Sequence, residues 1–120
     1  MPKHTLKDVS ERMRQFTEAR NWETFHTPKN LSMALIVEAA ELVEHFQWMT
    51  PEQSLNLSES RKDEVARELA DILIYLTRIA DVLDVDLVEA AMAKFSANER
   101  KYPADRVSPE EIKPPDDLDD

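Results

Sequence analysis

Leu31-Ser32-Met33-Ala34-Leu35-Ile36-Val37-Glu38-Ala39-Ala40-Glu41-Leu42-Val43-Glu44-His45-Phe46 is the stretch that decides how this chain is read. Apolar residues fall on almost every face of a 3.6-residue period, and a helix of that kind sits inside a bundle or at a subunit interface. Two acids interrupt it. Glu38 and Glu41 are three residues apart, so both project from one face of the helix. Glu44 and His45 carry that face one turn further. A charge in such surroundings costs several kcal/mol unless something compensates it.

Outward from this stretch the helical period continues. Leu6, Val9, Met13 and Phe16 recur at three- and four-residue steps and predict a first helix over about 5–21. The stretch itself predicts a second helix over about 30–48. Thr50-Pro51-Glu52-Gln53 reads as a helix start, with proline at the first helical position and a capping-box glutamine. Val65, Leu69, Ile72, Leu76, Ile79 and Leu83 mark the core face of a third long helix over about 60–84. Asp86-Leu87-Val88-Glu89 opens a fourth, which should stop before Pro103. No segment alternates with period two between turn residues. The expected fold is an all-α bundle of four main helices.

Composition removes several classes of function. The 120 residues include no glycine, so a glycine-rich phosphate loop or dinucleotide fingerprint is absent. They include no cysteine, which removes disulfides, thiolate zinc sites and cysteine nucleophiles. The formal net charge of −10 opposes binding to duplex nucleic acid. No apolar run approaches the roughly 18 residues of a membrane span, and no signal-like segment follows Met1-Pro2-Lys3-His4. A soluble, cytoplasmic protein without a membrane partner is expected. Half of the net charge lies in the last 18 residues, where seven acids and four prolines stand against two bases. One domain over 1–102 and an acidic, proline-rich tail over 103–120 are therefore expected, the tail as a surface arm or disordered.

The third helix repeats the acidic pattern of the second. Glu64, Glu68, Asp71, Tyr75 and Arg78 form a stripe, and Glu68-x-x-Asp71 lies 30 residues after Glu38-x-x-Glu41. Two antiparallel helices would set these pairs face to face. Four ionised carboxylates in a partly dry site repel one another, and a hard divalent cation such as Mg²⁺ or Mn²⁺ relieves that with an all-oxygen ligand set. A di-iron bundle would need Glu-x-x-His on two helices, and neither pair has the histidine. The plainer alternative is a solvated stripe paired with lysine and arginine elsewhere. Positive charge suited to phosphate is sparse: Lys94, Arg100 and Lys101, with Asn98 and Tyr102 among them, and Lys29-Asn30 before the second helix. Phe16, Trp22, Phe25 and Trp48 flank the acid-bearing helix, where a flat base can stack, although core packing is the ordinary role of such residues.

Taken in order, these residues resemble a known family. Arg20-Asn21-Trp22-Glu23-Thr24-Phe25-His26, Pro28-Lys29-Asn30-Leu31, Glu38-x-x-Glu41-Leu42-x-Glu44-x-Phe46-Gln47-Trp48, Glu68-x-x-Asp71-Ile72-Leu73-Ile74-Tyr75-Leu76 and Lys94-x-x-x-Asn98-x-Arg100-x-Tyr102-Pro103 are similar to the MazG-like all-α nucleoside triphosphate pyrophosphohydrolases, most of all their dCTP pyrophosphatase branch. The resemblance runs from about Glu18 to Pro103. It implies a helical bundle assembled as a homodimer or a dimer-of-dimers homotetramer with sites between subunits. It also implies hydrolysis of a nucleoside triphosphate, dCTP or a modified deoxynucleotide foremost, to the monophosphate and pyrophosphate. By position, Glu38, Glu41, Glu68 and Asp71 would be Mg²⁺ ligands, and Glu41 would also help to activate the attacking water. Lys94, Asn98, Arg100 or Lys101, and Tyr102 would contact phosphates, with Tyr75 close by, and Trp22 and Trp48, with His26 or Phe16, would form the base pocket.

The chain departs from the pattern in places. Val37 stands where the family's broad signature carries an acid, and Met13 stands where close relatives have a base-pocket histidine. Loss of that polar contact implies a broader choice of base. Two rival readings stay open on sequence grounds: a same-fold dUTPase-like enzyme, and a non-enzymatic acidic helical module whose apolar helix serves only for assembly.

Overall fold

The computed structural model describes residues 3–104, so the expected tail from 105 onward lies outside the described residues. Those residues form five α-helices and no strand: α1 Leu6–Ala19, α2 Pro28–Phe46, α3 Pro51–Ser54, α4 Glu59–Val82 and α5 Leu87–Lys101. A single 3₁₀ turn, Glu23–Phe25, lies between α1 and α2. The all-α expectation holds. The chain divides between Val85 and Asp86 into two units, with α1 to α4 in the first and α5 in the second.

Local chemistry explains where the helices start. Thr5 caps α1 with a full capping box, its hydroxyl accepting from Asp8 N–H while the Asp8 carboxylate accepts from Thr5 N–H. Thr50 and Gln53 form a second box at α3, as their spacing predicts. Thr27 caps α2 with Pro28 at its first position, so the helix begins earlier than 30. Lys29 and Asn30 therefore lie inside its first turn. The Asn30 N–H is already donated to Thr27 Oγ1, which removes it as an anion donor. Asp86 caps α5 by accepting from Glu89 N–H.

Helix ends carry a second local signature. A chain without glycine needs other residues in the left-handed region, and Asn21 and Asp84, both at φ 56°, supply it. At the end of α1, Trp22 N–H donates to Thr17 C=O and Asn21 N–H to Glu18 C=O, the Schellman pattern. Val85 to Ala80 and Asp84 to Asp81 repeat it after α4. Both helices thus end at Ala19 and Val82, just before the expected 21 and 84. The first stop turns Trp22 back toward α1.

Within the first unit, α4 packs on α2 and α1. His45 meets Arg61, Glu38 and Glu41 meet Glu68, and His26 just before α2 meets Arg78. The partners near and on α2 fall in residue number as those on α4 rise, so the two helices run antiparallel. Leu31 at 2 % exposure, Val65 and Ala80 form the buried apolar centre. Thr17 and Thr77 are also buried, each returning its hydroxyl proton to the carbonyl four residues back. Most of the apolar surface of α2 is not covered within one chain: Ile36 is 66 % exposed, and Met33, Val37 and Val43 are exposed with it. The helix whose sequence reads as a bundle interior or an interface is thus only partly buried by its own chain. Among the described residues no helix is long and apolar enough to cross a membrane.

Candidate functional site

The antiparallel α2–α4 pair assembles the acids. Glu38, Glu41 and Glu68 bring carboxylate oxygens within 4.8 Å of one another. Oε2 of Glu38 and Oε2 of Glu68 are buried and have no hydrogen-bond partner among the described residues. Such an arrangement is costly as it stands. The contact with Glu41, then burial, then Glu68 and the charges of Glu41 and Asp71 push the Glu38 carboxyl up to about 7. Two orphaned oxygens and an all-carboxylate donor set suit a hard divalent cation, which takes oxygen ligands and removes the repulsion. The residues present therefore fit the metal that their spacing predicts.

Asp71 is the exception among the four expected ligands. It does not join the close trio, although its charge acts on Glu38. It lines instead a cleft of about 890 Å³ together with Met13, Phe16, Trp22, His26 and Tyr75. Phe16 and Trp22 meet edge to face, with centroids 5.6 Å apart, and the His26 ring lies 6.2 Å from Trp22. Arg20, whose guanidinium lies 3.5 Å over the Phe16 ring, braces the wall from behind. The cleft thus offers flat aromatic surface at one side and Asp71 and Tyr75 of α4 at the other. A flat ring with an anionic tail that carries a cation would find both needs met here.

Trp48 does not line this cleft. It follows α2, is 89 % exposed, and is not brought to Trp22 within one chain. Lys94, Asn98, Arg100, Lys101 and Tyr102 lie on or just after α5, in the second unit. There the Tyr102 N–H donates to Asn98 C=O, and Lys101 Nζ lies 6.0 Å from the Tyr102 ring. Of the remaining acids on the helical faces, Glu44 and Glu64 stay outside the trio, and His45 bonds Arg61 at 3.0 Å.

Sequence reasoning missed the charged network behind His26. Arg78 donates from Nε to His26 Nδ1 at 3.2 Å and from NH1 to Asp81 at 3.0 Å, and Arg14 of α1 closes on the same Asp81 at 2.6 Å. Asp81 is held below its ordinary carboxylate value, first by the Arg14 hydrogen bond and then by the charges of both arginines, against its own burial. A signal existed: Arg78 is the one base on the otherwise acidic stripe of α4, and Asp81 follows it three residues on.

An all-helical fold with facing carboxylates at the edge of an aromatic cleft defines an acid-lined helical protein with a candidate divalent-metal centre. The chain belongs to the MazG-like family, which residues 33–113 match. It is similar to dCTP pyrophosphatase 1 of Homo sapiens, at 41 % identity over 105 residues covering 86 % of this chain and 62 % of that protein. The Bos taurus protein of the same name is 42 % identical over 101 residues, covering 82 % and 60 %. The chain spans about six-tenths of the length of these curated relatives. In three dimensions it is similar to a crystal structure of a pyrophosphatase from Archaeoglobus fulgidus DSM 4304, with a TM-score of 0.78 and 40 % identity over 86 % of this chain and 96 % of that one.

Proposed function

We propose that this chain is a Mg²⁺-dependent nucleoside triphosphate pyrophosphohydrolase, acting in the cytoplasm, in which water cleaves the bond between the α and β phosphates. The products are the monophosphate and pyrophosphate, and dCTP or a modified dCTP is the leading substrate. The observation that carries the reading is the trio Glu38, Glu41 and Glu68, with two buried orphan oxygens, next to the Trp22 cleft. The dCTP pyrophosphatase 1 relatives support the substrate.

In this reading Glu38, Glu41 and Glu68 hold the cation, with Asp71 assisting by charge from the cleft wall. The bound cation would neutralise triphosphate charge and acidify a water molecule. Glu41 accepts a proton from the attacking water, and no serine, threonine or cysteine nucleophile is needed. Trp22, Phe16 and His26 wall the base, which stacking alone tolerates in any identity. The proposed phosphate contacts Lys94, Asn98, Arg100, Lys101, Tyr102 and Tyr75 rest on family resemblance. A homodimer, doubled to a tetramer in the fuller form, would cover the apolar face of α2 and give Trp48 a neighbour to pack on.

The deciding experiment incubates the protein with each NTP and dNTP plus Mg²⁺ and quantifies monophosphate and pyrophosphate together. Equimolar products that vanish on chelation support the reading. Orthophosphate release, or no turnover with any nucleotide, overturns it. A preference for dUTP would assign the chain to the dUTPase-like alternative.

A further inference from the structure

Arg78 is 7 % exposed, and a guanidinium at that depth needs its charge balanced and its N–H groups accepted. Asp81 balances the charge, and Arg14 anchors Asp81 from α1 through NH2 at 2.6 Å and Nε at 3.2 Å. The Nε–H of Arg78 donates to His26 Nδ1. An imidazole nitrogen accepts only when it carries no proton, and a guanidinium does not give its own up. Nδ1 is therefore bare, and the proton of the neutral ring is on Nε2. The Thr17 hydroxyl 3.4 Å from Nδ1 does not alter this, because its proton goes to the Met13 carbonyl at 2.8 Å. With Nδ1 committed to Arg78, Nε2 is the nitrogen left for the cleft that His26 lines, and no described residue bonds it.

We infer that Arg78, balanced by Asp81, is a positioning residue that holds His26 as the neutral Nε2–H tautomer, so that the cleft presents one fixed hydrogen-bond donor beside Trp22 to an acceptor on the edge of the base. The inference rests on the proposed nucleotide reading of the cleft. The fitting edge carries a carbonyl oxygen or an unprotonated ring nitrogen. An edge with an N–H at that point sets donor against donor and is rejected. The charged and titratable groups around the ring are Glu23 on its own turn, Arg78 and Asp81 on α4, and Arg14 on α1 at Asp81, while Asp71 and Tyr75 of α4 and His4, Asp8, Glu11 and Arg12 at and along α1 line the same cleft. Burial first and the Arg78 charge second lower the His26 pKa, with Glu23 opposing them.

The test begins with the unaltered chain labelled with ¹⁵N at histidine, followed by NMR at about pH 8 and about pH 6, either side of the ordinary histidine value. The expected spectrum shows His26 with a bare Nδ1, a protonated Nε2, and no imidazolium at the lower pH. A proton on Nδ1, or an imidazolium at about pH 6, overturns the inference without any variant. Arg78→Met should then release the tautomer, raise KM for dCTP about tenfold with a smaller change in kcat, and make KM pH-dependent across the histidine range. Arg78→Lys, which keeps the charge but loses the planar Nε donor, should restore neutrality at low pH without restoring the single tautomer. If dCTP with Mg²⁺ shifts the His26 signals yet Arg78→Met leaves tautomer and KM unchanged, the role of Arg78 fails alone. If the tautomer is as expected and no nucleoside triphosphate shifts His26, the cleft is not the base site, and the proposed function falls with the base-reading role.

Discussion

Two charged regions lie against α4, one beside α2 and one beside α1, and they are built on opposite principles. In the α2 region Glu38, Glu41 and Glu68 set like charges together, and two of their oxygens are buried without a donor. In the α1 region the charges alternate, Arg14 to Asp81 to Arg78, and end on a neutral histidine ring. The first is incomplete as a piece of protein chemistry and calls for a cation from outside. The second is complete in itself and acts by orienting a neighbour. Clustered charge thus reads as a candidate cation site in one case and as a support in the other, and the sign pattern tells them apart.

The comparison breaks most visibly if the acids are tested by turnover. Glu38→Gln, Glu41→Gln and Glu68→Gln should each lower kcat/KM by about 100-fold or more, since each removes a proposed ligand of the cation. Asp71→Asn should cost clearly less, in keeping with its place outside the trio. A Glu38→Gln protein with near-normal rates would end the metal assignment. On the α1 side the expected loss is in stability. Asp81→Asn strands the buried Arg78 charge and should cost about 3 kcal/mol in a denaturant titration. A neutral outcome would mean that Arg78 finds another partner.

Opposite pH slopes sharpen the contrast. The Glu38 carboxyl titrates near 7 in the folded chain and at its ordinary 4.5 when unfolded, so the folded state holds the extra proton between those values. Metal-free stability should therefore fall as pH rises from 4.5 through 7, and stay at its lower level above that. Mg²⁺ should raise the melting temperature more at the alkaline end, and Glu38→Gln should flatten the slope. Asp81 behaves in reverse: its lowered pKa stabilises the fold above the ordinary 3.8 and is lost as pH falls through the folded value. A melting curve that rises steadily through neutrality without metal would contradict the assignment at Glu38.

Smaller effects follow at the cleft and at the surface. Trp22→Ala should raise KM about tenfold, the worth of one stacked base, with metal affinity retained, and Trp48→Ala, outside the cleft, should leave KM unchanged. Unchanged KM for Trp48→Ala alone would separate the two tryptophans and leave the base to the Trp22 wall. Arg14→Ala removes a half-exposed partner of Asp81 and should cost far less than Asp81→Asn, because Arg78 stays paired.

Much of this molecule was legible in the linear chain because the physics involved is local. The helix starts at Thr50 and Asp86 follow from side chains that reach a backbone N–H three residues on, and apolar period needs no distant partner, whereas the Thr27 cap starts α2 ahead of the apolar run. The Glu38–Glu41 pair declared itself by standing in apolar surroundings, and its match to Glu68 follows from two helices joined by a short connection. The stops at Asn21 and Asp84 were less legible, since a left-handed residue in a chain without glycine has no strong compositional mark.

What the sequence by itself determined is therefore the set of helices, the caps at Thr50 and Asp86 and the acids that can face one another. Only the tertiary structure decided that Asp71 stands in the cleft rather than in the trio, that Trp48 is exposed and apart from Trp22, and that Arg78 reaches a histidine 52 residues away. Those outcomes depend on how α1, α2 and α4 are rotated and offset against one another. A shift of one residue in that packing turns a side chain by about 100° around its helix, and no local spacing rule records it.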